Sequence, residues 1–326
     1  MKSVGLKTIA IELNVSVNTV SRALRDCDDI SEETKIKVRQ KAYELGYMPN
    51  NISQFIKRDG KNLISVVVNS FHNLYFTIIC EKLIELFKEK NYDFSLVYTN
   101  EKTLTTNVIK QCISQRTDAI ITLLEPNDDA VDVAKLNNIP IVIVGRTISN
   151  TYVDEVYTDD ALGGRLAANY LVNFHKCNRL IYIKIPNVEC SKRRQDSFVR
   201  TINELLPNKS DIKILSVNQI ESNLINLINQ GYLGVFCFND ETVYECLKVL
   251  NEDIPNIRKI NPKLHFIGYD SLSTRIDGLM DVTSIDFDYD AICNSVFELV
   301  KNKIKDKTLP KQSVEFTVKL HQRKYF

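Results

Sequence analysis

Several things are missing from this sequence, and each absence narrows its role. No apolar run approaches the roughly 18 residues needed to cross a bilayer. The start, MKSVGLKTIAIELN, lacks the apolar stretch of an export signal. A cytoplasmic protein with no membrane partner is expected. The eight cysteines, at 27, 80, 112, 177, 190, 237, 246 and 293, form no C-x-x-C pair and have no histidine at ligand spacing. They read as reduced, buried small hydrophobes, with no metal site. None of G-x-G-x-x-G, G-x-x-x-x-G-K-[ST], H-E-x-x-H or G-x-S-x-G occurs, which weakens the common enzyme readings; no catalytic residue and no cofactor are assigned. An excess of one charge is also missing. Lys and Arg total 42 against 41 for Asp and Glu, a net +1, and at face value that balance argues against a nucleic-acid partner.

What is present is length and a change of texture. At 326 residues, 44% hydrophobic and 25% charged, the chain is an ordinary globular sequence long enough for about two domains. Residues 1 to about 60 hold no strand-like run. Apolar positions fall there at helical spacing: Leu6, Ile9, Ala10, Leu13; then Val20, Ala23, Leu24; then Thr34, Val38, Ala42, Leu45. Three short helices are predicted. The third has Ser31 as N-cap, Glu32 and Glu33 in its first turn, and Lys35, Lys37 and Lys41 on its outer side.

From residue 62 short apolar strands alternate with amphipathic helices. Strands are predicted at 63–68, 94–98, 119–124 and 141–144, then at 180–185, 212–217, 233–238, 265–269 and 314–318. Strands apolar on both faces and separated by helices imply parallel sheets covered on both sides. Two such series imply two doubly wound α/β subdomains that divide near residue 160 and exchange strands late in the chain. Ligands bind beyond the carboxyl ends of such strands, so two facing sheets make a cleft.

The segment from Ala10 to Leu24, AIELNVSVNTVSRAL, is the most specific signal. A first helix ends near Leu13, Asn14 suits a left-handed turn, and Ser16 caps a second helix. Val20, Ala23 and Leu24 face inward, while Asn18, Arg22 and Arg25 share the opposite face. Arg can bond guanine O6 and N7, and Asn adenine N6 and N7; the hydroxyls of Ser16, Thr19 and Ser21 suit phosphates.

With these residues the chain resembles the LacI/GalR family of transcriptional regulators over essentially its whole length. The pattern reads A-x-x-x-x-V-S-x-x-T-V-S-R, then Ser31-x-x-Thr34-x-x-x-Val38, then Leu45-Gly46-Tyr47-x-Pro49-Asn50. The resemblance implies base reading by Val17, Asn18 and Arg22, and phosphate contacts by Ser16, Thr19, Ser21, Ser31, Thr34, Tyr47 and Asn50. Asn14 replaces the usual turn glycine, and Gly5 the usual threonine. It also implies a helix-turn-helix domain at 1–48, a hinge at 49–61 and an effector-binding and dimerisation domain at 62–326. That last domain has subdomains at about 62–160 and 161–290 and a C-terminal segment 291–326. In the hinge, Ile56 stands where a leucine normally wedges into the minor groove.

The resemblance continues in the cleft. Phe71-His-Asn-Leu-Tyr75-Phe76 is similar to the segment whose aromatic pair, here Tyr75 and Phe76, lies against the effector. Asp159-Asp160-Ala-Leu-Gly163-Gly164 opens the second subdomain; of its two acids, Asp159 is assigned to the cleft. Arg194-Gln-Asp-Ser197-Phe198 matches R-x-x-G-[FY], with Ser197 for glycine and Arg193 as a neighbouring alternative. Asn239-Asp240 matches the N-D pair, and Asp270 closes the Gly-Tyr-Asp strand. Arg146 is a further candidate without a counterpart in the family, and Phe287 replaces a frequent glutamine. Carboxylates, an amide, an arginine and rings suit a neutral polyhydroxylated ligand, a sugar or sugar derivative; nucleobase-like or phosphorylated ligands stay open.

The expected protein is a homodimeric repressor on double-stranded operator DNA, controlled by a small-molecule effector. Its rivals are a transport-type solute-binding protein and an enzyme acting in the cleft. The charge balance now divides: residues 1–60 hold ten Lys or Arg against eight Asp or Glu, and the remainder 32 against 33. Base and hydroxyl contacts, rather than a strong positive field, carry the DNA reading.

Overall fold

The computed structural model describes residues 5–24, 26–45, 62–253 and 263–323. Its contacts divide the chain into two units, Met1–Gly60 and Lys61–Phe326.

The first unit is built from α1 (Leu6–Leu13), α2 (Val17–Leu24) and α3 (Glu32–Glu44). Asn14 ends α1 at φ 53°, ψ 44°, the left-handed turn its side chain tolerates. The Ser16 hydroxyl accepts the Thr19 amide at 2.9 Å and caps α2, and Ser31 does the same for the Thr34 amide at 3.4 Å. Ile9, Ala10, Val20, Ala23, Val38 and Ala42 form the core. Lys35 corrects the expectation of a wholly solvated outer face on α3. It is buried, and its ammonium bonds Glu32 at 2.6 Å and Asp26 at 3.3 Å, because a buried cation needs paired carboxylates.

The second unit alternates strands and helices. A first series is β1 (Leu63–Val68), α4 (Leu74–Glu89), β2 (Asp93–Tyr98), α5 (Thr106–Ser114), β3 (Ala119–Thr122), α6 (Asp128–Leu136), β4 (Ile141–Val144) and β5 (Asp154–Thr158). A second series is α7 (Asp160–Asn169), β6 (Arg179–Lys184), α8 (Glu189–Leu205), β7 (Asp211–Ser216), α9 (Ile220–Asn229), β8 (Gly234–Cys237), α10 (Asp240–Asp253), β9 (His265–Tyr269) and β10 (Ser284–Asp286). Then come α11 (Tyr289–Lys305), β11 (Ser313–Phe316) and β12 (Lys319–His321). The sheets order as β11-β5-β4-β3-β1-β2 and β12-β10-β9-β8-β6-β7. All pairings are parallel except β10 with β12. Within each series the order is the same doubly wound one, with its topological switch beside the first strand, where the carboxyl ends open a crevice.

Both faces of each sheet are covered. Val66 and Val68 pack into one large core with α4 and α11, and Val67 into another with α5 and α6. Ile181 and Ile183 pack under α9 and α10. Seven of the eight cysteines are buried and all are free.

Three strands escape the apolar pattern: β5, β10 and β12. β5 reads DEVYT, yet Asp154 and Glu155 are buried. Their charges are met by segments near the end of the chain: Lys303 at 3.3 Å and the Gln312 amide at 2.8 Å for Asp154, and Lys311 at 2.9 Å for Glu155. In β10, Asp286 pairs with Arg275 at 2.6 Å.

Candidate DNA-reading face and ligand cleft

On α2, Val20 and Ala23 are fully buried, and Val17 and Asn18 point outward. Arg22 is half-buried and its guanidinium meets Asp29 at 2.5 Å. Ser16 and Thr19 share a hydroxyl contact of 2.8 Å at the start of α2, and Ser31 and Thr34 repeat it at the start of α3. Two helix N-termini thus each carry a pair of hydroxyls, a combination suited to phosphate oxygens. Ser21 is half-buried on the same helix. Arg25, Tyr47, Asn50 and Ile56, with the hinge, lie outside the described residues.

In the second unit the cleft residues sit just after strands or in the first turns of helices. Arg194 lies in the second turn of α8, after β6. Its Nε donates to Asp160 Oδ1 at 2.8 Å, its Nη1 to the Phe238 carbonyl at 2.7 Å, and it stands 3.4 Å from the centre of the Tyr269 ring. α7 and α8 approach closely enough for this pairing because the second unit has glycine where they cross. A Cβ on Gly164 would stand 2.5 Å from the Arg194 carbonyl oxygen.

The two adjacent acids take different partners. Asp159 caps α7, accepting the Leu162 amide at 2.8 Å, and its other oxygen faces Arg165 at 3.9 Å; the acid that meets Arg194 is Asp160.

Asp270 is buried after β9 with φ 95°, followed by Ser271 at φ 52°. Such backbone persists only where surroundings hold it. Here the Asp270 carbonyl accepts from the Tyr289 hydroxyl at 3.0 Å, and the Ser271 amide donates to Ser284 at 2.9 Å. Burial pushes the Asp270 carboxyl up to about 7, with Arg194 pulling it back. Tyr75 is close enough to feel the charges of Asp270 and Arg194. Its ring meets Phe76, Phe287 and Tyr289 at 6.0, 6.2 and 5.9 Å. Tyr75 thus reaches Asp270 through the Tyr289 ring, and Arg194 lies over Tyr269, the residue before Asp270.

Asn239 serves the chain itself: it caps α10, accepting the Thr242 amide at 3.0 Å and hydroxyl at 2.7 Å, and donates to Glu241 at 3.2 Å.

Residues 5–50 match the model of bacterial regulatory proteins, lacI family, and residues 64–307 match that of the periplasmic binding protein domain. The chain belongs to the LacI family. It is 24% identical over 334 residues to the HTH-type transcriptional repressor PurR of Actinobacillus pleuropneumoniae serotype 5b (strain L20), covering 98% of this chain and 97% of that one. It is 29% identical over 168 residues to the ribose operon repressor of Lactococcus lactis subsp. lactis (strain IL1403), covering 51% and 50%. Among solved structures it is similar to the Lac repressor bound to ONPG in its repressed state, with TM-score 0.73, 17% identity and 100% of both chains covered. A LacI family transcriptional regulator from Enterococcus faecium with bound ribose gives 0.68 at 20% identity, over 80% of this chain and 97% of that one. At these identities the structural likeness shows the fold: a helix-turn-helix head and a two-sheet α/β domain.

Two features of this LacI-family chain lie outside the motif reading. The Glu241 carboxylate accepts the Leu74 amide at 3.1 Å, joining the α10 start in the second sheet's layer to the α4 start in the first's; only the fold makes them neighbours. A cavity of about 700 Å³ opens between the loop after β4 and the β6–α8 connection, walled by Arg146, Thr147, Lys184, Cys190, Ser191 and Lys192 among others. None of the six motif-assigned cleft residues lines it. The rings of Phe287, Tyr289 and Tyr269 pack beside Tyr75 and Arg194.

Proposed function

We propose that this DNA-binding regulator is a homodimeric cytoplasmic repressor whose affinity for a near-palindromic operator is set by a sugar or sugar derivative in the cleft. A twofold dimer needs a twofold target. Residues 1–48 read the half-site through Val17, Asn18 and Arg22, 49–61 form the hinge with Ile56 as wedge, and 62–326 sense the ligand and dimerise. The carrying observation is the combination in one chain of an outward α2 face bearing Asn18 with Arg22 and a cleft where the Tyr289 and Tyr269 rings connect Tyr75, Arg194 and Asp270. The names of the relatives support repression, and ribose, D-xylulofuranose and cellobiose bound in similar structures support a sugar. The chain acts by binding, not turnover: a ligand recovered unchanged from the protein separates it from an enzyme. Linkage is reciprocal, so DNA changes effector affinity by the factor with which effector changes DNA affinity.

Selection of binding sites from random DNA with the full chain is the test. Enrichment of a twofold-symmetric sequence, with selectivity lost in Arg22→Ala, is expected. Unchanged selectivity in that variant would sink the reading.

A further inference from the structure

We infer that the effector carries an anionic group, a phosphate ester or a carboxylate, and that Arg146 is the residue that recognises it. The inference rests on the proposed reading of this domain as an effector sensor and names the chemistry of its ligand. Arg146 Nε is excluded from solvent and has no hydrogen-bond partner. The other cleft-side arginines are neutralised by the chain itself: Arg193 by Glu315 at 3.5 Å, Arg194 by Asp160 at 2.8 Å and Arg275 by Asp286 at 2.6 Å. Among the described residues no carboxylate stands within ion-pair distance of Arg146, nor of Lys184 or Lys192 on the same cavity wall. A desolvated guanidinium N–H without a partner is unfavourable, and its fork matches carboxylate or phosphate oxygens.

The cavity is sorted by depth. Arg146 and Lys184 are half-buried, whereas Lys192 and the acids Glu125, Glu189 and Asp196 are exposed. The sheltered part is therefore positive and the acids lie at the rim. The first turn of α8 forms part of the wall with no side chain capping it, which adds the positive end of a 17-residue helix. The volume of about 700 Å³ is ample for a monosaccharide phosphate. The motif residues implied a neutral ligand; Arg146 adds a charged pole to it.

Full-length protein titrated calorimetrically with matched pairs gives the test: pentoses and hexoses against their terminal phosphates and aldonic acids, and nucleosides against their monophosphates, with inorganic phosphate alone. At least one charged member is expected to bind tenfold or more tighter than its neutral parent. Arg146→Gln should abolish that preference by weakening the charged member far more than its neutral parent, and Arg146→Lys should restore part of it. An unchanged melting temperature of the unliganded variants excludes misfolding. A neutral sugar that binds as tightly as all its charged derivatives overturns the inference and leaves the sugar reading intact. If only nucleotides show the Arg146-dependent preference, the anionic pole stands and the sugar reading falls.

Discussion

The Arg194 guanidinium meets the Asp160 carboxylate at 2.8 Å with both side chains almost completely buried. The pair ties α8 to α7 and aims the guanidinium across the Tyr269 ring. Removing one partner from a buried pair strands the other charge, which costs about 3–5 kcal/mol. Asp160→Ala should lower the unfolding free energy of the second unit, read from urea denaturation, by about that amount, and Asp160→Asn by a comparable amount, because a neutral amide leaves the Arg194 charge uncompensated. An Asp160→Asn variant as stable as wild type would contradict a charge-pairing role.

In the head, Asp29 holds Arg22 at 2.5 Å with both side chains about half exposed. An exposed pair contributes about 0–1 kcal/mol, so Asp29→Asn should barely change stability. DNA affinity should change. Phosphates and bases no longer compete with a carboxylate for Arg22, so binding to all sequences strengthens several-fold at low salt. Discrimination between operator and unrelated DNA narrows, because the guanidinium loses the group that orients it. Mobility shifts on both DNAs at two salt concentrations check this; an unaltered ratio and affinity would count against it.

A Cβ placed on Gly268 would lie 1.9 Å from Asp240 Oδ1. That carboxylate cannot simply swing away, since it accepts from the Leu272 amide at 2.8 Å and from the Ser284 hydroxyl at 2.6 Å. Gly268→Ala should destabilise the second unit by about 1–3 kcal/mol or more through overpacking. Thermal unfolding of the full chain measures it, and a midpoint within 1 °C of wild type would be the contrary outcome.

Stability should also depend on pH through Asp270. Burial raises its carboxyl to about 7, Arg194 opposes, and Glu241 and Asp160 add to the rise. In the unfolded chain an aspartate titrates near about 3.9. Between these values the folded state binds more protons, so the group's contribution is full at the acid end and is lost as pH rises through the window. His265, pushed down to about 4 by burial and by His175, acts in the opposite sense below about 6.5, the usual histidine value. The comparison of wild type with Asp270→Asn isolates the aspartate: between pH 5 and pH 7.5 the wild type should lose more stability than the variant. Parallel curves would exclude the assignment.

Much of the fold was legible because it rests on local rules. β1, β4 and β9 coincide residue for residue with apolar runs, and Asn14, Ser16 and Ser31 announce the helix ends of the head. Two of the three strands that escaped notice, β5 and β10, contain acids that read as surface until distant residues such as Lys303, Lys311 and Arg275 arrive to pair with them. The motifs pointed to Tyr75 and Arg194 near helix starts and to Asp270 at a strand end, but not to which of two adjacent acids pairs with Arg194. Successive residues at a helix start differ by about 100° in direction, so only the position of α8 against α7 makes Asp160 the partner and Asp159 the cap.

The sequence by itself determined the kind of molecule: helical spacing with caps specifies the head, and alternating apolar strands and helices specify two doubly wound sheets, because these signals depend on neighbours along the chain. Tertiary structure decided the chemistry of the cleft. Whether a charge is neutralised depends on groups far away in sequence, and by that measure Arg194 is already paired while the half-buried Arg146 keeps its solvent-excluded Nε without a partner beside the cavity.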